Sequence, residues 1–513
     1  MRRNQFVTQT IFVLILAVCS SRWLVGQTVY GIKSQPQGGD RRGTYYDDIE
    51  GQKEYDEKGT LTRLYQDPKL YLHNMTVLAH LPRGGGEMMT IGGNRYLVGG
   101  GVIVDVTNPK NPAIINQRAP GGQVAYNQAL QKWVVMRSDS CCNCCDQDHV
   151  TGKKPHPALN PPRGERLGVT FFDLTDPQNV VEIGHYQTPP GSTGTHGDGN
   201  YYDGGRYAYV ATELPKTRGQ PPFTIQGRIL QVLDVSDLKN PKEASQWWVP
   251  GQMMTEETEY LKWPEADPNP KPWTPQTQFN WLTFHGPCTV PKRVEEGGNR
   301  GYCAWGALGM RILDLSDIRQ PKQVSAVDVS PPFDGGIPVH SAYPIPQRKL
   351  ALISEEVTGW DCRDPIVPPF VVDLRAEKYP LTIATIPIPK PPPEAPYNDF
   401  CFRGGRFGTH NVHNIKGPGE ARIDLVGYTW FVGGFRLYDI SNPFRPEEVA
   451  WIVPPLGKRR GVETALIEWD RKIIHISTDS GLYILSSPVL GEPVLGPLKP
   501  EHWNPEGFNA GAP

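Results

Sequence analysis

GVIVDVTNP occupies residues 101–109, and the phrase returns as VTFFDLTDP at 169–177, ILQVLDVSD at 229–237, MRILDLSD at 310–317, PFVVDLR at 369–375 and FRLYDISNP at 435–443. A degenerate seventh copy, GLYILSSP, lies at 481–488. The pivots are Asp105, Asp173, Asp234, Asp314, Asp373 and Asp439, with Ser486 in the seventh place. Steps between pivots run from 47 residues (439 to 486) to 80 (234 to 314). A loose period of this size, carried by strand-like phrases, signals a repeated supersecondary unit rather than one irregular domain.

Each repeat has the same internal order. In the third, THGDGNYY (195–202) precedes RYAYVATE (206–213), GRILQVLDV (227–235) and KEASQWWVP (242–250). Apolar and polar residues alternate over short runs separated by Gly, Pro, Asn and Asp, which reads as four strands joined by hairpins. Repeated four-stranded units make an all-β fold, a β-propeller, here with seven blades. The last repeat reaches its third strand at 481–486 and then runs into a Pro-rich tail. Thr76–Pro82 resembles a fourth strand and is expected to fill the gap, closing the ring and removing exposed edges. The Asp pivots read as structural, because Asp in such turns folds its side chain back onto the backbone.

The strand–Asp–turn phrase resembles the LVIVD-repeat family of secreted and periplasmic propellers, over roughly residues 76–488. The resemblance implies architecture and is almost silent about activity, since propellers host many functions. Composition agrees: 54 Gly and 52 Pro suit a chain made largely of turns, and 38% hydrophobic residues suffice for a core shared between blades. A formal net charge of −2 gives no electrostatic reason to expect nucleic acid.

Arg2 and Arg3 precede a short apolar run, Ile11–Val18, which reads as an export signal covering 1–27. The run is too short for an ordinary membrane span, so none is expected in the mature chain. Val18 before Cys19 departs from a lipoprotein box, which favours cleavage over a lipid anchor. The expected order is signal (1–27), irregular strap (28–75), propeller (76–488) and Pro-rich tail (489–513). The expected location is periplasmic or extracellular. Asn74-Met75-Thr76 is a glycosylation sequon, meaningful only in a host that glycosylates.

An exported chain can keep disulfides. Cys288 and Cys303 lie equidistant from the midpoint of one hairpin and are expected to face each other. Cys362 and Cys401 fall in long loops of neighbouring blades and are further candidates. Cys141, Cys142, Cys144 and Cys145 form a dense cluster. It reads either as a loop pinned by disulfides or as a thiolate site for copper or zinc.

Aligning the first strand of each blade gives Glu87, Gln123, His196, His285, His340, His410 and Glu463 at one level. First strands line a propeller's channel, so these side chains converge on the axis. Four consecutive blades offer imidazoles, which are good ligands for iron, copper or zinc. His413 lies three residues after His410 and should point to the other side of a strand. Second strands end in Glu213, Glu356 and Asp479, expected beside the ring and able to orient ligating imidazoles. The long insertions, 139–166, 214–226, 251–281, 357–368 and 389–408, are expected over the same mouth. A water-filled polar channel is the competing reading.

A four-His axial site with supporting carboxylates is similar to that of the carotenoid-cleavage oxygenases, seven-bladed proteins holding Fe(II). It also loosely resembles the selenium-binding-protein-type methanethiol oxidases, which use copper. The likeness is one of layout and implies a transition metal, Fe(II) or Cu ahead of Zn. The expected function is an exported metal-dependent oxidoreductase acting on a small organic substrate. The alternatives are a non-catalytic extracellular propeller binding a protein or glycan, and a zinc-dependent hydrolase.

Overall fold

The structure, a computed structural model, describes residues 71–139, 166–192, 194–214, 227–262, 283–329, 339–357, 362, 366–395, 397–413, 417–456 and 461–493. The signal at 1–27, most of the strap, the Cys141–Cys145 cluster, most of the insertions and most of the tail lie outside the described residues.

Seven antiparallel four-stranded sheets make up the fold, a seven-bladed β-propeller. The third blade runs Thr195–Tyr202, Tyr207–Thr212, Ile229–Asp234 and Lys242–Trp247, hydrogen-bonded in that order. First strands of neighbouring blades touch one another, from Glu87–Ile91 in blade one to Val339–Ile345 in blade five, as channel-lining strands must. Apolar side chains of the middle strands alternate between the two faces of each sheet and pack against the next blade. Leu352 joins the core shared with blade six, whereas Ala351 and Ile353 join the core shared with blade four.

The pivots behave as their sequence demands. The backbone N–H two residues on donates to Oδ1 of Asp105, Asp173, Asp234, Asp314, Asp373 and Asp439, at 2.7–3.0 Å. Each side chain thereby satisfies a donor that a tight turn would otherwise leave unpaired.

Closure takes place where the sequence placed it. Thr76–Leu81 pairs antiparallel with Gly481–Ser486, from Thr76 opposite Ser486 to Leu81 opposite Leu482, and completes blade seven. One element departs from the expected plan. Leu72–His73, assigned to the irregular strap, pairs with Trp451 and Ile452 on the outside of blade six. Asn74 then turns the chain between blades in the left-handed region (φ 51°), its side-chain amide donating to Val449 O at 2.8 Å. The sequon asparagine is thus part of the turn that carries the chain into the closing strand.

Cys288 and Cys303 are register partners on the first two strands of blade four and form a disulfide. A second disulfide joins Cys362 to Cys401. Among the described residues, no helix is long and apolar enough to cross a membrane.

Candidate metal centre

The inner strands are not alike. In blades one and two, Glu87 and Gln123 sit in regular ladders, opposite Val98 and Met136. In blade three the register slips between His196 and Tyr201, leaving residues 197–200 bulged out of the ladder. In blade five it slips between Val339 and Ser341, so His340 is the extra residue, and in blade seven Glu463 holds the same place. Blades four and six have broken inner strands, where His285 N donates to Ala304 O and His410 N to Thr429 O. Bulges bend a strand and re-aim the side chain they carry. Here a bulge carries His340, a slip follows His196, and His285 and His410 lie on broken strands, so none of the four sits inside an uninterrupted ladder.

The imidazoles form a continuous arc. Ring centroids are 5.1 Å apart for His196 and His285, 5.1 Å for His285 and His340, and 4.5 Å for His340 and His410. Such spacing needs inner strands in unusually close approach. Gly286 allows it: a Cβ at that position would stand 1.7 Å from the carbonyl oxygen of His340.

Among the described residues, two carboxylates have an oxygen within 4 Å of a ring nitrogen of these imidazoles. Glu356 Oε2 accepts from His285 Nε2 at 2.7 Å and lies 3.9 Å from His340 Nε2, while Oε1 is 3.8 Å from His410 Nε2. Asp198, on the bulge of blade three, places Oδ2 3.8 Å from His196 Nε2 and 3.9 Å from His340 Nε2. Two triads of ligand atoms, Asp198–His340–His410 and His285–His340–Glu356, each fall within a 4.8 Å spread. His340 belongs to both. It is buried, and neither of its ring nitrogens has a hydrogen-bond partner.

Several groups set the orientation of this cluster. His410 Nδ1 lies 2.9 Å from Glu463 O. Asn411 Nδ2 lies 3.0 Å from the same nitrogen and donates to the same carbonyl at 3.1 Å. A carbonyl only accepts, so the contact with Glu463 O places the proton on Nδ1 and leaves Nε2 a lone pair toward the cluster, with Asn411 the competing donor. Phe431 stacks on His410 at 4.6 Å, and the Arg406 guanidinium lies 4.3 Å from the centroid of the same Phe431 ring. Arg406 also pairs with Glu356 Oε1 and donates to Val357 O at 2.8 Å.

Charge follows from burial and these contacts. Burial pushes His285 down to about 3 against the pull of Glu356. His410 falls to about 4 through burial and then the neighbouring His340. Burial alone would raise Glu356, but Arg406 and the His285 N–H hold it well below the usual carboxylate range. Asp198, with its side chain half exposed, is held below the usual carboxylate range by the imidazoles of His340 and His196. For His340, burial pulls down, yet Asp198 and Glu356 outweigh it and raise its proton affinity above the ordinary value. Ionised carboxylates beside the neutral imidazoles of His285 and His410 are protonation states that suit a cation, which would have to displace the proton from His340.

Other residues named from the sequence make different contacts. Glu213 accepts from Gly227 N at 3.4 Å, and Asp479 donates its backbone N–H to Gly461 O at 3.2 Å. Glu87 Oε2 accepts from Val124 N at 2.5 Å, tying blade one to blade two. Glu463 acts through its carbonyl. His413 is buried in the core, where Nδ1 accepts from Gly427 N at 2.9 Å, and it takes no part in the arc. Asp198 and Arg406 were not singled out from the sequence. The pattern His196-Gly-Asp198-Gly, a carboxylate two residues past an aligned His and framed by glycines, was the available signal for the first. Arg406 comes from the 389–408 insertion and has no counterpart in other repeats.

No family model and no curated protein matches the chain. The resemblance to LVIVD-repeat propellers therefore rests on the repeat phrase. Among solved structures, the chain is similar to the β-propeller domain of Cps50 (Swd1) from Myceliophteria thermophila, with 8% identity, a TM-score of 0.41, and coverage of 80% of this chain and 99% of that one. It is also similar to U3-55K, with 9% identity, a TM-score of 0.38, and coverage of 79% and 91%.

Proposed function

We propose that this chain is an exported metal-dependent oxidoreductase whose ion is held at the mouth of the propeller channel. One observation carries the reading. His340 is buried with both ring nitrogens unpartnered, and its Nε2 stands 3.9 Å from each of two carboxylate oxygens. Leaving a buried polar atom unsatisfied costs about 1–3 kcal/mol. Two ligand atoms 3.9 Å apart suit a shared ion with bonds of about 2 Å. Ligands are drawn from His196, His285, His340, His410, Asp198 and Glu356.

When bound, iron or copper supplies one-electron chemistry toward dioxygen or an organic substrate. The chain's own residues do the rest. Glu463 O and Phe431 fix the plane of His410, and Arg406 fixes Glu356. The buried rings of His285 and His340 keep bulk water from one side of the cluster. Asp198, with its side chain 51% exposed, marks the side from which a small substrate enters. The two disulfides support an oxidising compartment.

The test is metal content of full-length protein purified without a His tag. One iron or copper per chain is expected, lost in His340→Gln while the folded far-UV spectrum is kept. Sub-stoichiometric metal in the unmodified protein, unchanged in the variant, would favour the non-catalytic binding propeller instead.

A further inference from the structure

His285 is wired differently from its neighbours in the arc. Its Nδ1 lies 3.1 Å from an Nη of Arg228, and its Nε2 lies 2.7 Å from Glu356 Oε2. A guanidinium has donors and no acceptor, so Nδ1 must accept. The imidazole proton then resides on Nε2 and is donated to Glu356. Both ring nitrogens are committed, and the one facing the cluster carries a hydrogen. Ligating an ion through Nε2 would move that proton to Nδ1, opposing two donors in a buried site, since Arg228 and His285 are both at most 9% exposed.

His410 is wired differently: its Nδ1 has an acceptor in reach, Glu463 O at 2.9 Å, so the proton can sit there and leave Nε2 a lone pair, with Asn411 Nδ2 at 3.0 Å as a competing donor. His340 has no partner at either nitrogen. These two imidazoles, with Asp198 Oδ2 and the Glu356 carboxylate, enclose a common space. Asp198, His340 and His410 offer atoms within 4.8 Å of one another, and Glu356 lies 3.9 Å from His340 and 3.8 Å from His410.

We infer that His285 is a positioning residue rather than a ligand: held by Arg228, it donates to Glu356, and the ion is bound by His340, His410, Asp198 and Glu356. This rests on the metal-centre reading above and changes its chemistry. Two imidazoles and two carboxylates suit Fe(II), Mn(II) or Zn(II), and suit copper less than four imidazoles do. Glu356 then plays two parts. One oxygen pairs with Arg406, the other accepts from His285, and both keep acceptor capacity toward the ion.

Glutamine separates the two roles at position 285. Its amide nitrogen can donate to Glu356 and its amide oxygen can accept from Arg228, but it offers no imidazole. Chelator-treated full-length protein with its disulfides intact would be titrated with Mn(II) and with Zn(II), and affinities read by calorimetry. His285→Gln is expected to keep one site per chain with affinity within about tenfold of the unmodified protein, and His285→Ala to fall by about 10–100-fold, as removal of a supporting hydrogen bond does. His340→Gln, His410→Gln and Asp198→Asn should each fall further than His285→Ala. Thermal midpoints of all five variants check folding. If His285→Gln loses the ion as completely as His340→Gln, His285 is a ligand and the inference fails, while the metal centre stands. If the unmodified protein binds neither ion, both fail.

Discussion

Gly286 shows how far single residues govern the arc. It follows His285 directly and faces the carbonyl of His340, leaving no room for a methyl group. Gly286→Ala should push the inner strands of blades four and five apart. Overpacking of this kind costs about 1–3 kcal/mol, readable as a lower urea midpoint. The same variant should bind the ion more weakly, because His285, Glu356 and His340 no longer share one geometry. Retention of both stability and affinity would mean the strands have slack that the close approach denies. At this scale the aligned histidines were legible because a repeat gives each blade the same position, so four imidazoles at one level stand out. Asp198 and Arg406 were not, since one belongs to a bulge in a single blade and the other to a single insertion. Glu213 and Asp479 share Glu356's place at the end of a second strand. Glu356 meets the arc because His285 and Arg406 are there to hold it.

At the scale of elements, the hairpin carrying Cys288 and Cys303 was readable from its symmetry alone, and the two residues are register partners. Their sequence separation is 15. Closing a loop of about that length is worth roughly 3 kcal/mol in the chain-entropy account. Replacing both with Ser should lower the chemical-denaturation midpoint accordingly, and should do so without releasing the ion, because neither cysteine is among its ligands. Equal stability of the oxidised protein and the double variant would remove the bridge as a stabilising element. The bulges that aim His340 and Glu463 were not readable. A one-residue slip of a ladder changes hydrogen bonding without demanding a particular side chain, and these inner strands alternate polar and apolar residues as regular ones do. The first strand of blade six, written as THNVHN, is likewise a broken stretch in which His410 and His413 bond to the second strand individually.

For the whole molecule, the decisive event is the meeting of blades one and seven. The borrowed strand Thr76–Leu81 was visible because the seventh repeat lacks a fourth strand, and an open edge must be covered. The buried ion network at the same junction was not visible, because its members are scattered along the chain. Arg95 of blade one pairs with Glu468 and Asp470 of blade seven, and Arg471 reaches back to Val106 O and Thr107 O. His475 Nε2 is 2.6 Å from Glu468 Oε1. Burial would raise Glu468, but His475 and Arg471 hold it down at about 2, against an ordinary value of 4.5. A depressed carboxylate binds its proton more readily in the unfolded chain. Its contribution to stability is therefore complete above pH 4.5 and is lost as pH falls toward 2. Glu468→Gln should flatten the pH dependence of unfolding across that window. It should also cost about 3–5 kcal/mol near neutrality, as breaking a buried charge pair does. An unchanged pH profile would exclude Glu468 as the group being titrated.

The central claim is that one ion sits among His340, His410, Asp198 and Glu356. Crystals of full-length protein grown with Mn(II) or Fe(II), with anomalous data collected at that metal's edge, test it most directly. The account predicts a single anomalous peak at bonding distance, about 2 Å, from Nε2 of both His340 and His410 and from a carboxylate oxygen. No peak in the arc, or a peak confined to the Cys141–Cys145 segment, would contradict it.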